Sequence, residues 1–327
     1  MVNVLAKLKA SMIAALATII GISTLILTAI FMFFVTPGAN VYVIALGSLA
    51  FIVTIHFIQW LVGPKILESA YNVEPIMGGK LAWVEDIVAR VARASGLGFV
   101  PKAMLARVDV PNAFAYGNSL TGYKVAVTEG LIRSVPKDEI EAVIAHEIGH
   151  IKHRDVELMM VISLLPAIIF WIGRMLMYFG WFGDERESEA SLLPLIGMVL
   201  MGVSFLFNFA VLYVSRLREY YADAHAALTI PNGARRLQRA LARILVISGE
   251  LKRFAPSKVA SAGKFKAFLI ADPEEGIVVR GGAVDIDEVV EWIKSQPRLT
   301  ATEIFMTHPD PAKRLRFLDK LASMAPA

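Results

Sequence analysis

The 327-residue sequence contains no cysteine. Disulfides, thiolate nucleophiles and cysteine-held zinc or iron–sulfur centres are excluded by that absence, so any metal must be held by His, Asp or Glu. Charge is sparse too. Asp, Glu, Lys and Arg make up 19% of the residues against 56% hydrophobic, which excludes a disordered, collagenous or polar-repeat chain. The 33 Lys+Arg exceed the 29 Asp+Glu by only four, too small an excess over this length to argue for nucleic acid. Asn and Gln are also scarce, a shortage that agrees with a hot habitat.

Long uncharged runs fill the space that charge vacates. Residues 12–35 carry no charge, and at about 1.5 Å per residue they outlast the roughly 30 Å hydrocarbon core of a bilayer. The competing reading is a cleaved signal peptide, but the run is too long, no small-residue cleavage site follows, and a second apolar run occupies residues 41–63 after a Pro-Gly turn. His56 and Gln59 within that second run read as helix–helix hydrogen-bonding groups. A third run, residues 158–173, is short and continues past Arg174 to residue 183, with Arg174 reaching for the far interface. An acidic loop at 184–189 precedes the fourth run, 190–215. Lys7, Lys9, Lys65, Lys152, Arg154, Arg216 and Arg218 all flank these runs on one side, so the positive-inside rule puts both termini and the polar segments in the cytoplasm. The expected division is an N-terminal transmembrane hairpin (1–64), a first cytoplasmic part (65–155), a second hairpin (156–215) and a second cytoplasmic part (216–327).

In the cytoplasmic parts, Leu81, Val84, Ile87, Val88 and Val91 fit an amphipathic helix between Gly78 and Gly96. Short β-type runs at 103–108, 112–116 and 124–128, separated by turn signals, read as a small sheet. Pro136 followed by Asp138 and Glu139 opens a helix carried onward by Ile140, Val143, Ile144 and Ile148. Further helices are expected at 234–251 and 286–296, with a Gly/Pro/acid-rich stretch at 272–282 between them.

The helix after Pro136 carries His146-Glu147-Ile148-Gly149-His150, an H-E-x-x-H pattern. Histidines four apart share a helical face, so both can reach one zinc ion, while Glu147 can take a proton from its water. A catalytic zinc wants a third protein ligand. Glu219, with Asp223 one turn on to accept a hydrogen bond from a ligand imidazole, is one candidate; His153 is its local rival. His225 reads as a surface or packing residue.

Four segments together resemble the HtpX family of membrane-bound zinc metalloproteases. They are His146–His150 running on through Ile151-Lys152-His153-Arg154-Asp155, the stretch Ser215-Arg216-Leu217-Arg218-Glu219-Tyr220-Tyr221-Ala222-Asp223, Asn112-Ala113-Phe114-Ala115-Tyr116-Gly117, and Thr307-His308-Pro309 with Arg314. The sequence departs from the family at Tyr116, usually a small polar residue there, and in the length of residues 252–300. The resemblance implies a mainly α (α+β) fold: four transmembrane helices in two hairpins and a cytoplasmic zincin-like domain with a small β-sheet. It implies one zinc held by His146, His150 and Glu219, with Glu147 as general base and Asp223 orienting a ligand. His308 would stabilise the oxyanion, gate the metal or serve as a structural His before a Pro turn, and Asp155 would support a ligand or close a helix at the membrane surface. The strand of Asn112, Ala113, Phe114 and Ala115 would hold substrate as an added strand.

The implied activity is endoproteolysis of misfolded or damaged membrane proteins at the cytoplasmic face of the plasma membrane, a quality-control and stress role, with the bilayer as partner and nucleic acid excluded. A prenyl-protein (CAAX-type) endoprotease shares the zinc chemistry but belongs to relatives with more spans. A non-catalytic scaffold or holdase is the reading outside enzymes.

Overall fold

The computed structural model describes residues 41–182, 192–254, 270, 277, 285–297 and 302–323. The expected first span, the turn at 36–40, the acidic loop and nearly all of 272–282 lie outside these. Contacts divide the chain into two units: one contains residues 41–61 with Glu157–Leu217, the other Val62–Val156 with Arg218 onward.

In the first unit lie most of α1 (Val41–Ala70), α5 (Asp155–Phe182) and α6 (Leu193–Thr229). Helix α1 does not stop at residue 64 as expected; it carries Pro64 inside and runs to Ala70. The third apolar run continues past Arg174 within α5, one 28-residue helix, about 42 Å long at 1.5 Å per residue. Gly173 and Gly197 let α5 and α6 pack backbone to backbone, since a Cβ on either would sit 2.3–2.6 Å from the other's carbonyl oxygen; close approach at small residues is how apolar helices associate without a hydrophobic drive. Ser204 Oγ donates to Pro166 O at 2.8 Å across the same pair. His56 is buried and Gln59 is exposed. Among the described residues one helix, Pro194–Thr229, is long and apolar enough to cross a membrane.

The second unit is built on a four-stranded mixed sheet of β1 (Val73–Pro75), β2 (Lys102–Ala106), β3 (Ala113–Asn118) and β4 (Gly122–Thr128), in the order β1-β2-β4-β3. Strand β1 was not foreseen. Its three residues are too few for a period-2 pattern, and only pairing with Met104, Leu105 and Ala106 makes it a strand. β2 runs parallel to β4, and β3 and β4 form a hairpin. The hairpin tip is an Asx-type turn in which Asn118 Oδ1 accepts from Leu120 N and Thr121 N at 3.0 and 2.8 Å. Strand β3 therefore occupies an edge, and its residues 113–118 extend two beyond the 112–116 expected.

Helix α2 (Ala82–Ala94) buries Val84, Ile87, Val88 and Val91, the stripe read from the sequence. Thr128 caps the short α3 (Glu129–Ser134), its Oγ1 accepting from Leu131 N at 3.1 Å. Helix α4 (Lys137–Lys152) begins after Pro136 with Asp138 and Glu139 in its first turn, where the helix dipole favours acids. It is packed on nearly every side: Glu139, 1% exposed, takes hydrogen bonds from Arg239 and Arg243 of α7 (Gly233–Phe254). Gly149 lets α6 approach, since a Cβ there would lie 3.1 Å from His225 Cβ. Helices α8 (Ile286–Ser295) and α9 (Pro311–Ala322) close the core against α7 through Val290, Ile293, Leu315 and Leu318.

Gly117 has φ +101°, and a Cβ there would meet Gly122 O at 2.1 Å. Gly117→Ala is therefore expected to cost about 1–3 kcal/mol through overpacking and backbone strain, read as a fall in the thermal unfolding midpoint of the purified protein; an unchanged midpoint would show that the hairpin relaxes freely.

Candidate metal centre and active site

A single cleft in the second unit gathers His146, Glu147, His150, Asp155, Glu219 and His308 in its lining. Helix α4 supplies the first three, α6 supplies Glu219, and His308 precedes α9. The histidine pair behaves as helical spacing demands. Their Nε2 atoms face each other at 3.2 Å, and each ring turns its Nδ1 to a carboxylate: His146 Nδ1 lies 2.9 Å from Asp223 Oδ1, and His150 Nδ1 lies 2.5 Å from Asp155 Oδ2. The His146–Asp223 approach is oblique, close enough for an ion pair but outside good hydrogen-bond alignment.

Glu219 completes a triangle, with Oε2 3.5 Å from His146 Nε2 and Oε1 3.7 Å from His150 Nε2. Donors about 2.0–2.2 Å from one tetrahedral ion stand about 3.3 Å apart, so the two imidazole nitrogens at 3.2 Å, with one Glu219 oxygen near each, suit a shared cation. One further observation points the same way: each Nδ1 faces a carboxylate, which leaves the two Nε2 atoms turned toward each other, where a cation would sit between their lone pairs. His146, Glu147 and His150 by themselves also form a group able to hold a metal.

The electrostatics follow burial. Desolvation opposes charge on His146, yet Asp223 and Glu219 outweigh it and raise its pKa to about 9, so a proton is favoured where a cation would stand. Burial drives His150 well below the ordinary value. Glu147 is pushed up to about 7 by burial, against the opposing pull of His146 and of the Ala115 N–H, a range suited to accepting and returning a proton near neutrality. That N–H donates to Glu147 Oε2 at 2.8 Å and ties the edge strand to the helix.

Several residues sit differently from expectation. Asn112 was placed on the cleft edge, but it is 3% exposed and precedes β3; its N–H donates to Thr128 Oγ1 and its Oδ1 accepts from Ile270 N at 3.0 Å, so it fastens the chain internally. Ala113 and Phe114 are buried as well, with Phe114 packed against Tyr71 and Tyr116; of the four substrate-strand residues, Ala115 is the more open. His153 caps α4 with its ring edge-on to Tyr221 at 3.8 Å, away from the converging nitrogens. His225 packs inside, 2.9 Å from Ser95 Oγ. Arg218 and Lys152, read as membrane-flanking charges, also have partners in this unit: Arg218 lines the cleft beside Asp155 and Glu219, and Lys152 donates to Ser95 O.

Sequence reading also missed Arg314 as a working group. It donates to both oxygens of Asp223 at 2.9 and 2.6 Å and to Ile270 O. Its place in the Thr307-His308-Pro309…Arg314 element was the only signal. Tyr116, the departure from the family pattern, donates its hydroxyl to Glu68 Oε1 at 3.0 Å, where Lys124 Nζ also binds; burial, then Glu68, raise its pKa and keep it a donor.

This geometry defines a metallopeptidase. The profile of peptidase family M48 matches residues 80–322, and the chain belongs to that family, in the company of the HtpX proteases. A protease HtpX homologue from Aeropyrum pernix is 41% identical over 81% of this chain and 83% of its own length. HtpX homologue 2 from Sulfurisphaera tokodaii is 34% identical over 96% of this chain and 97% of its own, and that from Saccharolobus solfataricus is 40% identical over 85% and 86%. Among solved structures, the crystal structure of S. mikatae Ste24p aligns over 93% of this chain with a TM-score of 0.50 at 22% identity; this chain spans 63% of that one, and the likeness speaks to fold alone. The protein is a membrane metalloendopeptidase, and the family implies a metal at the active centre.

Because Arg314 neutralises two buried carboxylates, Arg314→Met is expected to cost about 3–5 kcal/mol, as losing one partner of a buried ion pair does. Denaturant unfolding of the metal-free protein reads this directly, and a loss below about 1 kcal/mol would mean that Asp223 finds water or another partner.

Proposed function

We propose that the protein is a zinc endopeptidase that cleaves misfolded or damaged membrane proteins at the cytoplasmic face of the cell membrane, in protein quality control. The observation that carries the zinc assignment is the convergence of the His146 and His150 Nε2 atoms on Glu219, each imidazole backed by a carboxylate. The donor set of two imidazoles and a carboxylate, with no thiolate anywhere in the chain, suits catalytic zinc. Zinc, when bound, polarises the scissile carbonyl and acidifies water.

The chain's own residues do the rest. His146, His150 and Glu219 would hold the ion, and Asp223 and Asp155 would orient the two rings. Glu147 accepts a proton from the attacking water and returns it to the leaving amine. His308, whose Nδ1 lies 3.5 Å from Glu219 Oε2, lines the same cleft and steadies charge on the substrate carbonyl. Substrate adds to the edge of β3, where main-chain pairing grants affinity without strict sequence demands and favours unfolded segments. Ala115 carries that edge; Asn112, Ala113 and Phe114 support it from behind.

The same reading includes four spans in two hairpins, 1–64 and 156–215, with the parts 65–155 and 216–327 in the cytoplasm. The basic flanks support it, and so does the paired α5–α6 packing through Gly173 and Gly197. The distant likeness to Ste24p gives no ground for preferring lipidated substrates.

Purified protein is expected to hold one zinc per chain by elemental analysis, and His146→Ala, His150→Ala and Glu219→Ala are each expected to lose most of it while His153→Ala keeps it. Asp223→Ala should weaken zinc affinity about 10–100-fold. Glu147→Gln should retain zinc yet slow cleavage of an unfolded membrane protein by at least about 100-fold; cleavage at the wild-type rate would remove Glu147 from its role, and chelator-resistant cleavage would remove the metal.

For orientation, a cysteine placed at Glu187 is expected to react with an impermeant thiol reagent applied outside cells, and one at Glu291, an exposed residue of α8, is not. The reverse pattern would invert the topology.

A further inference from the structure

Within residues 68–156, the large apolar side chains left strongly exposed are Met77 (85%), Phe99 (45%), Val100 (50%) and Leu120 (65%). The sheet brings all four to one end. Met77 follows β1, whose Pro75 pairs with Met104. Val100 precedes β2, whose first residue Lys102 is in register with Lys124. Leu120 is the tip of the β3–β4 hairpin, and Phe99 stacks on Tyr123 of β4 with ring centroids 5.4 Å apart. Core-quality apolar groups placed singly need no explanation, but four on the loops at one end of a sheet mark an interaction surface.

The charge around them has one sign. The loops concerned, residues 76–80, 96–102 and 118–123, contain Lys80 and Lys102 and no acid; the nearby Glu85 is engaged by Gly78 N. Exposed apolar tips edged by lysine match a bilayer interface, where the side chains enter the acyl boundary and ammonium groups meet anionic head groups. The loop at 96–100 is also tied to Lys152, whose Nζ donates to Ser95 O and Gly96 O at 2.7 and 3.3 Å. Lys152 stands three residues before the start of α5, whose body is apolar.

We infer that this end of the sheet docks on the anionic lipid surface, as a second membrane attachment besides the apolar helices. Tyr123 belongs both to the patch and to the cleft lining, so docking holds the cleft mouth at the head-group level, where a polypeptide emerging from the bilayer first becomes extended. The inference rests on the membrane reading, and its test separates the two.

The chain's lack of cysteine makes single labels clean. Full-length protein with an environment-sensitive fluorophore on a cysteine at Met77, Phe99 or Leu120 is reconstituted into phosphatidylcholine vesicles, with or without phosphatidylglycerol, and quenched with bromolipids. Labels at Leu195, an exposed position of α6, and at Glu291 serve as the lipid and water references. Quenching at 77, 99 and 120 is expected to approach that at 195 in the anionic vesicles and to exceed that at 291. Lys102→Gln is expected to shift the docked-to-free ratio about fivefold toward free, the weight of one lysine at a charged surface. Phe99→Cys removes the stack on Tyr123, so the labels at 77 and 120 decide if that variant folds poorly. Strong quenching at 195 with water-like values at 77 and 120 overturns docking and leaves the membrane reading standing; water-like values at 195 overturn the membrane reading itself. Labels at 77 and 120 that respond to an unfolded peptide in detergent but not to lipid would assign the patch to substrate instead and end the lipid proposal.

Discussion

Asp223 is fully buried and negatively charged, and much of the second unit is arranged around the cost of that fact. A carboxylate taken out of water must be repaid by charge and hydrogen bonds within reach. Arg314 binds both its oxygens from α9, His146 approaches from α4, and Asp223 itself stands on α6. Three helices that begin at residues 137, 193 and 311 are thereby brought to one point. Arg314 also reaches Ile270 O, and Ile270 N is held by Asn112, so the same network fixes the start of the edge strand. A buried pair of this kind contributes little net stability, but it tolerates few alternative arrangements, which is what a site dependent on the aim of an imidazole requires.

The second constraint is the tie between Glu147 and Ala115. It joins the helix that carries the histidines to β3, an edge strand of the sheet, so that the proton acceptor and that edge are held together. Glycine at 149 matters for the same reason from the other side: without a side chain there, α6 comes close enough for Glu219 to face both Nε2 atoms. The lysine-edged apolar loops lie at the end of this same sheet, with Tyr123 common to patch and cleft.

Much of this was legible in the residues. The spacing of His146 and His150 puts both rings on one face of any helix, and Glu219 with Asp223 repeats that spacing, because 3.6 residues per turn is a property of the backbone and not of the surroundings. The stripe from Val84 to Val91 and the uncharged run of α6 are equally local. What escaped were groups whose partners lie far off in the chain. Nothing near Asn112 announces that its amide will face Ile270 or that burial will remove it from the cleft edge. Nothing near Arg218 announces that packing will also bring it into the cleft beside Asp155 and Glu219. The three-residue β1 has no pattern of its own.

The sequence alone thus determined the donor types, their helical faces, the exclusion of thiolate chemistry and the apolar character of the long helices, all of which depend on side-chain identity and on periodicity over a few turns. Tertiary structure decided which carboxylate answers which imidazole, that His153 turns to Tyr221, that Arg314 balances the buried acids, and that four scattered apolar residues meet at one end of the sheet. The physical reason is range. Backbone geometry acts between residues three or four apart, whereas desolvation, hydrogen bonding and ion pairing act between whatever groups the fold brings within a few ångströms, and those partners are as far as 158 positions apart in the chain.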